Sequence, residues 1–149
     1  MKLLVQRVSQ ASVTVDKETV GAIGRGLMVL VCADPGDSDE DLAFLARKLT
    51  ALRIFSDDAG KMNLSVRDMG GSILAVSQFT LAARWRQGNR PGFSDAAPPD
   101  EGRDLFDRFV TLLRHDGMPV ETGVFGADMQ VSLINDGPVT LWLDGRDPR

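Results

Sequence analysis

A proline interrupts what would otherwise be the last β-hairpin of this chain. In the stretch VSLINDGPVTLWLD, residues 131–144, two strand-like runs flank Asn-Asp-Gly-Pro at 135–138. Asp-Gly is a favoured hairpin turn, but the proline that follows has no N–H and a fixed φ, so it is a poor start for the returning strand. We therefore expect strands at 128–134 and 138–143, joined by something other than an ordinary hairpin turn.

The remaining sequence predicts short strands and two helices. GLMVLVCA, within 26–33, is apolar throughout, as expected for a strand covered on both faces. Ser38 and Asp41 form a capping-box pattern before a helix at about 39–52, and a second apolar stripe follows Pro99 and ends before Gly117. Other strands are expected at 2–8, 12–16, 18–23, 70–81 and 119–124. In the 128–134 strand, Met129, Val131 and Leu133 should face the core.

Many strands with only two helices indicate an α+β domain in which the sheet curls and the helices cover one side. The length of 149 residues suits one domain, 1–149, with a core of its own. Exposed sheet edges make dimerisation by edge pairing a reasonable expectation. No apolar run approaches eighteen residues and no cleavage-site pattern follows the N-terminus, so we expect a cytoplasmic protein without a membrane partner.

The scarcity of cysteine and histidine limits the possible chemistry. Cys32 and His115 are single, so an intrachain disulfide is excluded and a zinc site built from these residue types is not expected. His115 falls near the end of a helix and Cys32 in an apolar strand, positions typical of a cap and a core residue. No Ser-His-Asp or Cys-His set can be assembled. The sequence indicates no metal and no cofactor.

The charge distribution singles out one loop. The formal net charge of −4 argues against a surface that coats nucleic acid indiscriminately. The stretch RWRQGNRPGF, residues 84–93, nevertheless contains three arginines, Trp85 and Phe93 but no acidic residue. Such a loop could contact a phosphate backbone and stack a base. A merely solvated loop is the alternative.

Polar residues also end an otherwise apolar strand. In VSQFTL, residues 76–81, Ser77, Gln78 and Thr80 stand where backbone amides leave the ladder and can point at a ligand. N–H groups in such an array could stabilise an oxyanion. A polar strand end without catalytic function is the alternative.

SQFTL at 77–81 and NDGPVT at 135–140 together resemble the paired signature motifs of the D-aminoacyl-tRNA deacylases of bacteria and eukaryotes. LVQRV, DDAGKMNLS, RPGFSDAAPP and ETGVFGADMQ also look like family segments in the same order, so the resemblance covers essentially the whole chain. It implies hydrolysis of the ester between a D-amino acid and the 3′-terminal adenosine of tRNA. It also implies a cytoplasmic role in chiral proofreading, with some action on glycine-charged tRNA.

The family resemblance further implies a homodimer of barrel-like subunits with two flanking helices and active sites at the interface. Gly137-Pro138 would be a cis bond that projects into the partner's site and excludes L-residues. Amides of Gln78 and Phe79, or their neighbours, would stabilise the oxyanion next to Ser77. Thr80 would be a nucleophile or a positioning group; without a base beside it, we favour positioning.

Three further assignments follow from the resemblance. Arg7 would brace the Gly-Pro loop, with an ordinary surface arginine as the alternative. Phe125, Gly126, Ala127 and Met129 would belong to the adenosine pocket, although GVFGADM could equally be core and turn. Two competing functions stay open: a non-catalytic nucleic-acid-binding dimer, and a conventional hydrolase that uses Cys32 or His115.

Overall fold

The structure, a computed structural model, describes residues 1–148. Its regular elements are β1 (Lys2–Val15), β2 (Glu18–Ile23), β3 (Gly26–Cys32), α1 (Asp39–Ala51), β4 (Phe55–Ser56), β5 (Met62–Leu64), β6 (Ser72–Ser77), α2 (Pro99–His115), β7 (Val120–Thr122) and β8 (Gln130–Asp144). Both predicted helices are therefore present within one residue of their expected ends.

Strand β1 organises the main sheet. Residues 2–6 of β1 pair with both β3 and β8, and residues 11–14 pair with both β2 and β8. Since each residue has two edges, β8 occupies one whole edge of β1, and β2 and β3 share the other. The sheet continues from β3 through β6 to β7 with parallel pairing, whereas the pairs of β1 are antiparallel.

The sheet curls until its two ends almost meet. A Cβ added to Gly21 in β2 would lie 2.5 Å from the carbonyl oxygen of Thr122 in β7, which shows how closely the two strands approach. The small two-stranded sheet of β4 and β5 lies apart from this one. The prediction of an α+β fold with a curled, barrel-like sheet and two flanking helices is confirmed.

Strand β3 is buried on both faces, as its sequence predicts. Leu27, Val29 and Val31 pack into the larger core cluster, which also contains the apolar faces of both helices. Met28 points into a second cluster on the other face, with Val13 and residues of β6. Helix α1 covers the first cluster and begins with the predicted capping box. Neither helix in the described part of the chain is long and apolar enough to cross a membrane.

Two pairs of predicted strands are in fact single strands. β1 runs without a break through residues 9–11, and β8 runs through the Gly-Pro segment. Gln6 pairs with Thr140 but Val8 pairs with Asn135, so residues 136–139 leave the ladder while the strand keeps its direction. The proline therefore marks a large bulge, and the prediction of two strands at 128–134 and 138–143 was wrong.

The predicted buried face of β8 is only partly buried. Met129 and Leu133 pack at the border of the second core cluster, but Val131 is 37% exposed. Ile134 and Trp142 are about half exposed on the same strand. Because β8 is an edge strand, its alternating pattern places apolar side chains in solvent within this single chain.

The capping box should contribute measurably to stability. Ser38 Oγ accepts a hydrogen bond from the Asp41 amide at 3.2 Å, and the Asp41 carboxylate accepts one from the Ser38 amide at 2.8 Å. We expect Ser38→Ala to lower the free energy of unfolding in urea by about 1 kcal/mol, since an N-cap side chain is lost. Ser38→Thr keeps the acceptor and should be close to wild type; equal destabilisation by both would contradict this reading.

Candidate active site

The SQFTL segment turns sharply where β6 ends. After Ser77 the chain forms one 3₁₀ turn, Phe79–Ala82. The Gln78 amide donates to Val31 O at 2.8 Å and so completes the ladder with β3. The amides of Phe79 and Thr80 come next and, as the first of a helical turn, have no acceptor within it. The expected role of the Gln78 amide as an oxyanion donor is therefore wrong, because that amide is already engaged.

The Thr80 side chain is exposed and held by its neighbour. Its hydroxyl oxygen accepts a hydrogen bond from the side-chain amide of Gln78. An amide N–H cannot remove a proton, so this contact orients the hydroxyl without activating it as a nucleophile. The hydroxyl proton stays free to donate to a bound group.

A mostly apolar cavity of about 420 Å³ opens beside this turn. Ser77 and Phe79 form one side of it, and Phe125 and Gly126 form another. The rest of the lining consists of Val31, Ala33, Phe93, Ser94, Ala96, Ala97, Pro98, Pro99, Gly102 and Phe106. The structure thus brings together the two segments that the sequence analysis assigned to catalysis and to the adenosine pocket.

Aromatic contacts fix the cavity walls. The Phe79 and Phe93 rings meet edge to face with centroids 5.2 Å apart, and Phe106 and Phe125 are 6.4 Å apart. The Arg103 guanidinium lies 4.7 Å from the centroid of the Phe125 ring. Such a slot suits a flat, weakly polar ring system.

Two residues predicted for the adenosine pocket lie outside this lining. Met129 is half-buried against the second core cluster, with its sulfur packed where a Cβ on Gly123 would stand. The Ala127 amide donates to Val124 O at 3.2 Å and closes a turn. Both residues shape the chain that carries Phe125 and do not contact the cavity directly.

The Gly-Pro segment is anchored to β1 by one arginine. The Gly137-Pro138 bond is cis. Arg7 Nε donates to Asp136 O at 2.7 Å, and Arg7 Nη1 donates to Ile54 O, also at 2.7 Å. The predicted contact between Arg7 and this segment is therefore present. Because Arg7 is only 12% exposed, its two carbonyl contacts fix the bulge relative to the sheet.

Asn135 closes the base of the bulge. Its side-chain oxygen accepts from the Val139 amide at 2.8 Å, and its side-chain nitrogen donates to Thr140 Oγ1 at 2.9 Å. A side chain at position 137 has no room, since a Cβ there would lie 2.5 Å from the Val139 nitrogen. The bulge therefore depends on a glycine at 137 and an amide at 135.

The two motifs lie on different strands and at different levels of the sheet. Ser77 is level with Val31 and Leu3, whereas the bulge stands beside Arg7, four residues farther along β1. Four residues of strand span about 13 Å, and the path from β8 to β6 crosses three strand spacings of about 4.8 Å each. Along the sheet, the two motifs of one chain are therefore well separated.

Neither reactive residue type offers a conventional catalytic centre. His115 is exposed at the end of α2, while residues near the start of that helix line the cavity; a helix of 17 residues is about 25 Å long. Cys32 is fully buried. Burial, followed by the carboxylate of Asp34, raises the pKa of the Cys32 thiol, so it stays protonated. The described residues contain no cluster of three or more His, Cys, Asp or Glu side chains that could hold a metal ion.

The family model for D-Tyr-tRNA(Tyr) deacylase matches residues 4–144. The chain belongs to this deacylase family. A relative from Geobacter sulfurreducens, named D-aminoacyl-tRNA deacylase, is 62% identical to this chain. The match covers 97% of this chain and 95% of the relative. A relative of the same name from Ruegeria pomeroyi is 61% identical over 97% of this chain and 99% of the relative. The family predicted from the sequence, and with it a deacylase-type enzyme, is confirmed.

Solved structures also resemble this deacylase. The structure titled c-Myc DNA Unwinding Element Binding Protein is 44% identical to it, with a TM-score of 0.91 over 97% of this chain and 98% of the other. The structure of a probable eukaryotic D-amino acid tRNA deacylase superposes with a TM-score of 0.79, over 95% of this chain and 97% of the other. At 22% identity, the latter likeness supports the fold alone.

Several residues that support the site are not predicted from the sequence. Asn135 was treated as part of a turn, although an Asx side chain before Asp-Gly often bonds to nearby backbone and could have indicated its role. Phe93 was assigned only to the arginine-rich loop, yet it lines the cavity. Gly102 and Phe106 come from α2, and no local signal relates a helix to a distant strand end.

The Cys32 thiol of this deacylase should react slowly in the folded protein. Its raised pKa leaves little thiolate at pH 8, and its burial blocks access. We expect disulfide exchange with a chromogenic reagent to be slow in buffer and fast in concentrated urea. Rapid reaction of the folded protein would contradict the assignment of Cys32 to the core.

Proposed function

We propose that this protein hydrolyses the ester bond that joins a D-amino acid to the 3′-terminal adenosine of tRNA and that it rejects L-aminoacyl-tRNA. The products are free tRNA and the D-amino acid. The carrying observation is the aromatic-walled cavity that Phe79 lines, next to the first two amides of the 3₁₀ turn, those of Phe79 and Thr80, which have no acceptor within the turn. The names of the relatives from Geobacter sulfurreducens and Ruegeria pomeroyi support the same substrate class.

In this proposal the terminal adenosine occupies the cavity. Its flat base would pack between the walls that contain Phe93 and Phe125, where stacking does not demand a charged partner. Ser77 and Ser94 supply hydroxyl groups at the border of the same cavity. The ester attached to the ribose would then lie next to the 3₁₀ turn.

The amides of Phe79 and Thr80 would stabilise the negative charge that develops on the ester carbonyl oxygen. Removal of one such donor typically costs 10²–10³-fold in rate. Thr80 would position water or substrate through its free hydroxyl proton, since Gln78 already occupies its oxygen. The ribose 2′-hydroxyl, next to the scissile ester, can help to orient the attacking water.

Selection of the D-form would come from Gly137-Pro138 of a partner subunit. The bulge leaves the sheet, is fixed by Arg7 and Asn135, and lies away from the SQFTL segment of its own chain. In a homodimer with active sites at the interface, this backbone wall would leave space for hydrogen on one side of Cα and collide with an L-side chain. Glycine has no side chain, so glycine-charged tRNA should also be hydrolysed. The exposed apolar residues of β8 support association.

The direct test presents purified protein with D-Tyr-tRNA and L-Tyr-tRNA at equal concentrations. We expect rapid release of D-tyrosine and little release of L-tyrosine, because only the L-side chain meets the wall. Acid-precipitable radioactivity measures the remaining charged tRNA. Equal hydrolysis of both forms would contradict the chiral assignment.

A matched control separates this proposal from its two competitors. The variant with Cys32→Ala and His115→Ala should keep its activity, because neither residue reaches the cavity. Loss of activity in this variant, with its fold intact, would favour a conventional hydrolase. Binding of charged tRNA without turnover by the wild type would favour a non-catalytic nucleic-acid-binding protein.

The shared site predicts complementation between two inactive variants. Gly137→Ala should displace the Gly-Pro segment and obstruct the partner's site, because a Cβ collides with the Val139 backbone, whereas Gly24→Ala has open space and should be neutral. Thr80→Pro should remove one oxyanion donor, because proline has no backbone N–H. In each variant alone, the rate of D-Tyr-tRNA hydrolysis should fall by about 10²-fold or more.

Refolding Gly137→Ala and Thr80→Pro together should restore activity. A mixed dimer carries both substitutions in one composite site and none in the other, so about a quarter of wild-type activity should return. Size-exclusion chromatography of each variant checks that dimers form. If both motifs acted within one chain, the mixture would stay inactive.

A further inference from the structure

The arginine-rich loop forms a basic arm beside the adenosine cavity. Arg84 and Gly92 exchange backbone hydrogen bonds of 2.8 and 2.9 Å, so residues 84–92 form a closed loop. Gly92 lines a groove of about 580 Å³ on this loop, and the next residue, Phe93, lines the cavity. The two spaces are therefore adjacent along the chain.

The loop is anchored by one arginine and presents two others. Arg84 makes two 2.6 Å hydrogen bonds to the carboxylate of Asp95, and this partner lowers the pKa of Asp95. Arg86 and Arg90 are exposed, and neither forms a salt bridge within residues 1–148. Two unneutralised cations thus line the groove in a protein whose formal net charge is −4.

An aromatic side chain lies beside one of these charges. Trp85 is 66% exposed, and the Arg86 guanidinium lies 4.9 Å from the centroid of its ring. An exposed indole next to free guanidinium groups is the combination that binds single-stranded nucleic acid, because bases stack on the ring and phosphates pair with the cations. The acidic character of the remaining surface would disfavour phosphates elsewhere.

We propose that this loop binds the nucleotides directly 5′ of the terminal adenosine, with Arg86 and Arg90 on their phosphates and Trp85 against a base. The inference rests on the proposed function, because it places the adenosine in the neighbouring cavity. The loop then draws charged tRNA to the site and contributes to substrate binding, while the ester chemistry stays with the 3₁₀ turn.

The test compares two substrates that differ only in the presence of the upstream nucleotides. Wild type and the Arg86→Ala, Arg90→Ala double variant are assayed with D-Tyr-tRNA and with 3′-O-D-tyrosyl-adenosine. For the tRNA we expect kcat/KM of the double variant to fall on the order of tenfold, through KM, as two exposed ionic contacts are lost. For the adenosine ester the two proteins should be equal.

Salt dependence gives a second measurement. Each phosphate contact with a single strand contributes about 0.7 to the slope of log affinity against log salt, so the double variant should have a slope shallower by about 1.4. Trp85→Ala should lower kcat/KM for tRNA with its slope unchanged, since stacking displaces no counterion. The variant with Arg86→Lys and Arg90→Lys keeps both charges, so its dependence of log affinity on log salt should stay close to that of wild type.

Controls distinguish a local effect from a general loss of charge or fold. Arg47→Ala with Lys48→Ala removes two exposed cations from α1, away from the groove, and should leave both substrates unaffected. Equal losses on both substrates, or no loss on tRNA, would overturn the loop proposal alone. If wild type hydrolysed neither substrate, the proposed function would fail and the loop proposal with it.

Discussion

The pairing of β8 with β1 on both sides of residues 136–139 is the constraint on which the arrangement of the molecule depends. A strand that resumes its ladder in the same direction must expel the extra residues as a bulge. Arg7 then holds the expelled backbone through the carbonyl of Asp136, and Asn135 closes its base. The glycine and proline at the tip are consequently fixed by the sheet itself.

The candidate site contains few reactive side chains, because backbone groups that the sheet holds in place can serve instead. The groups assigned to chemistry and selection are mainly backbone: the amides of Phe79 and Thr80, and the Gly137-Pro138 segment. Backbone groups keep their positions only when the surrounding elements are well packed, and β3 and β6 are buried on both faces. Rigid packing in the sheet would thus supply the preorganisation that the proposed electrostatic catalysis requires.

Much of the fold could be predicted because its signals are local. The Ser38 capping box, the apolar stripes of both helices and the doubly buried β3 are all readable from spacing. The continuity of β1 and β8 is not visible in the sequence, because polar residues interrupt the apolar pattern of β1 and a proline interrupts that of β8. Local rules cannot predict that a strand resumes the same pairing after a bulge. Gln78 was misassigned for a related reason: whether its amide is free depends on where β3 ends.

The sequence by itself determined the deacylase family, the presence of a single histidine and a single cysteine, and the two motifs, since residue identity and order carry that information. Only the tertiary structure decided that Ser77, Phe79 and Phe125 share one cavity, that Gly102 and Phe106 complete it, and that the two motifs of one chain stand far apart. The physical reason is that strand register and helix packing set distances between residues remote in sequence, and neither is encoded in any short segment.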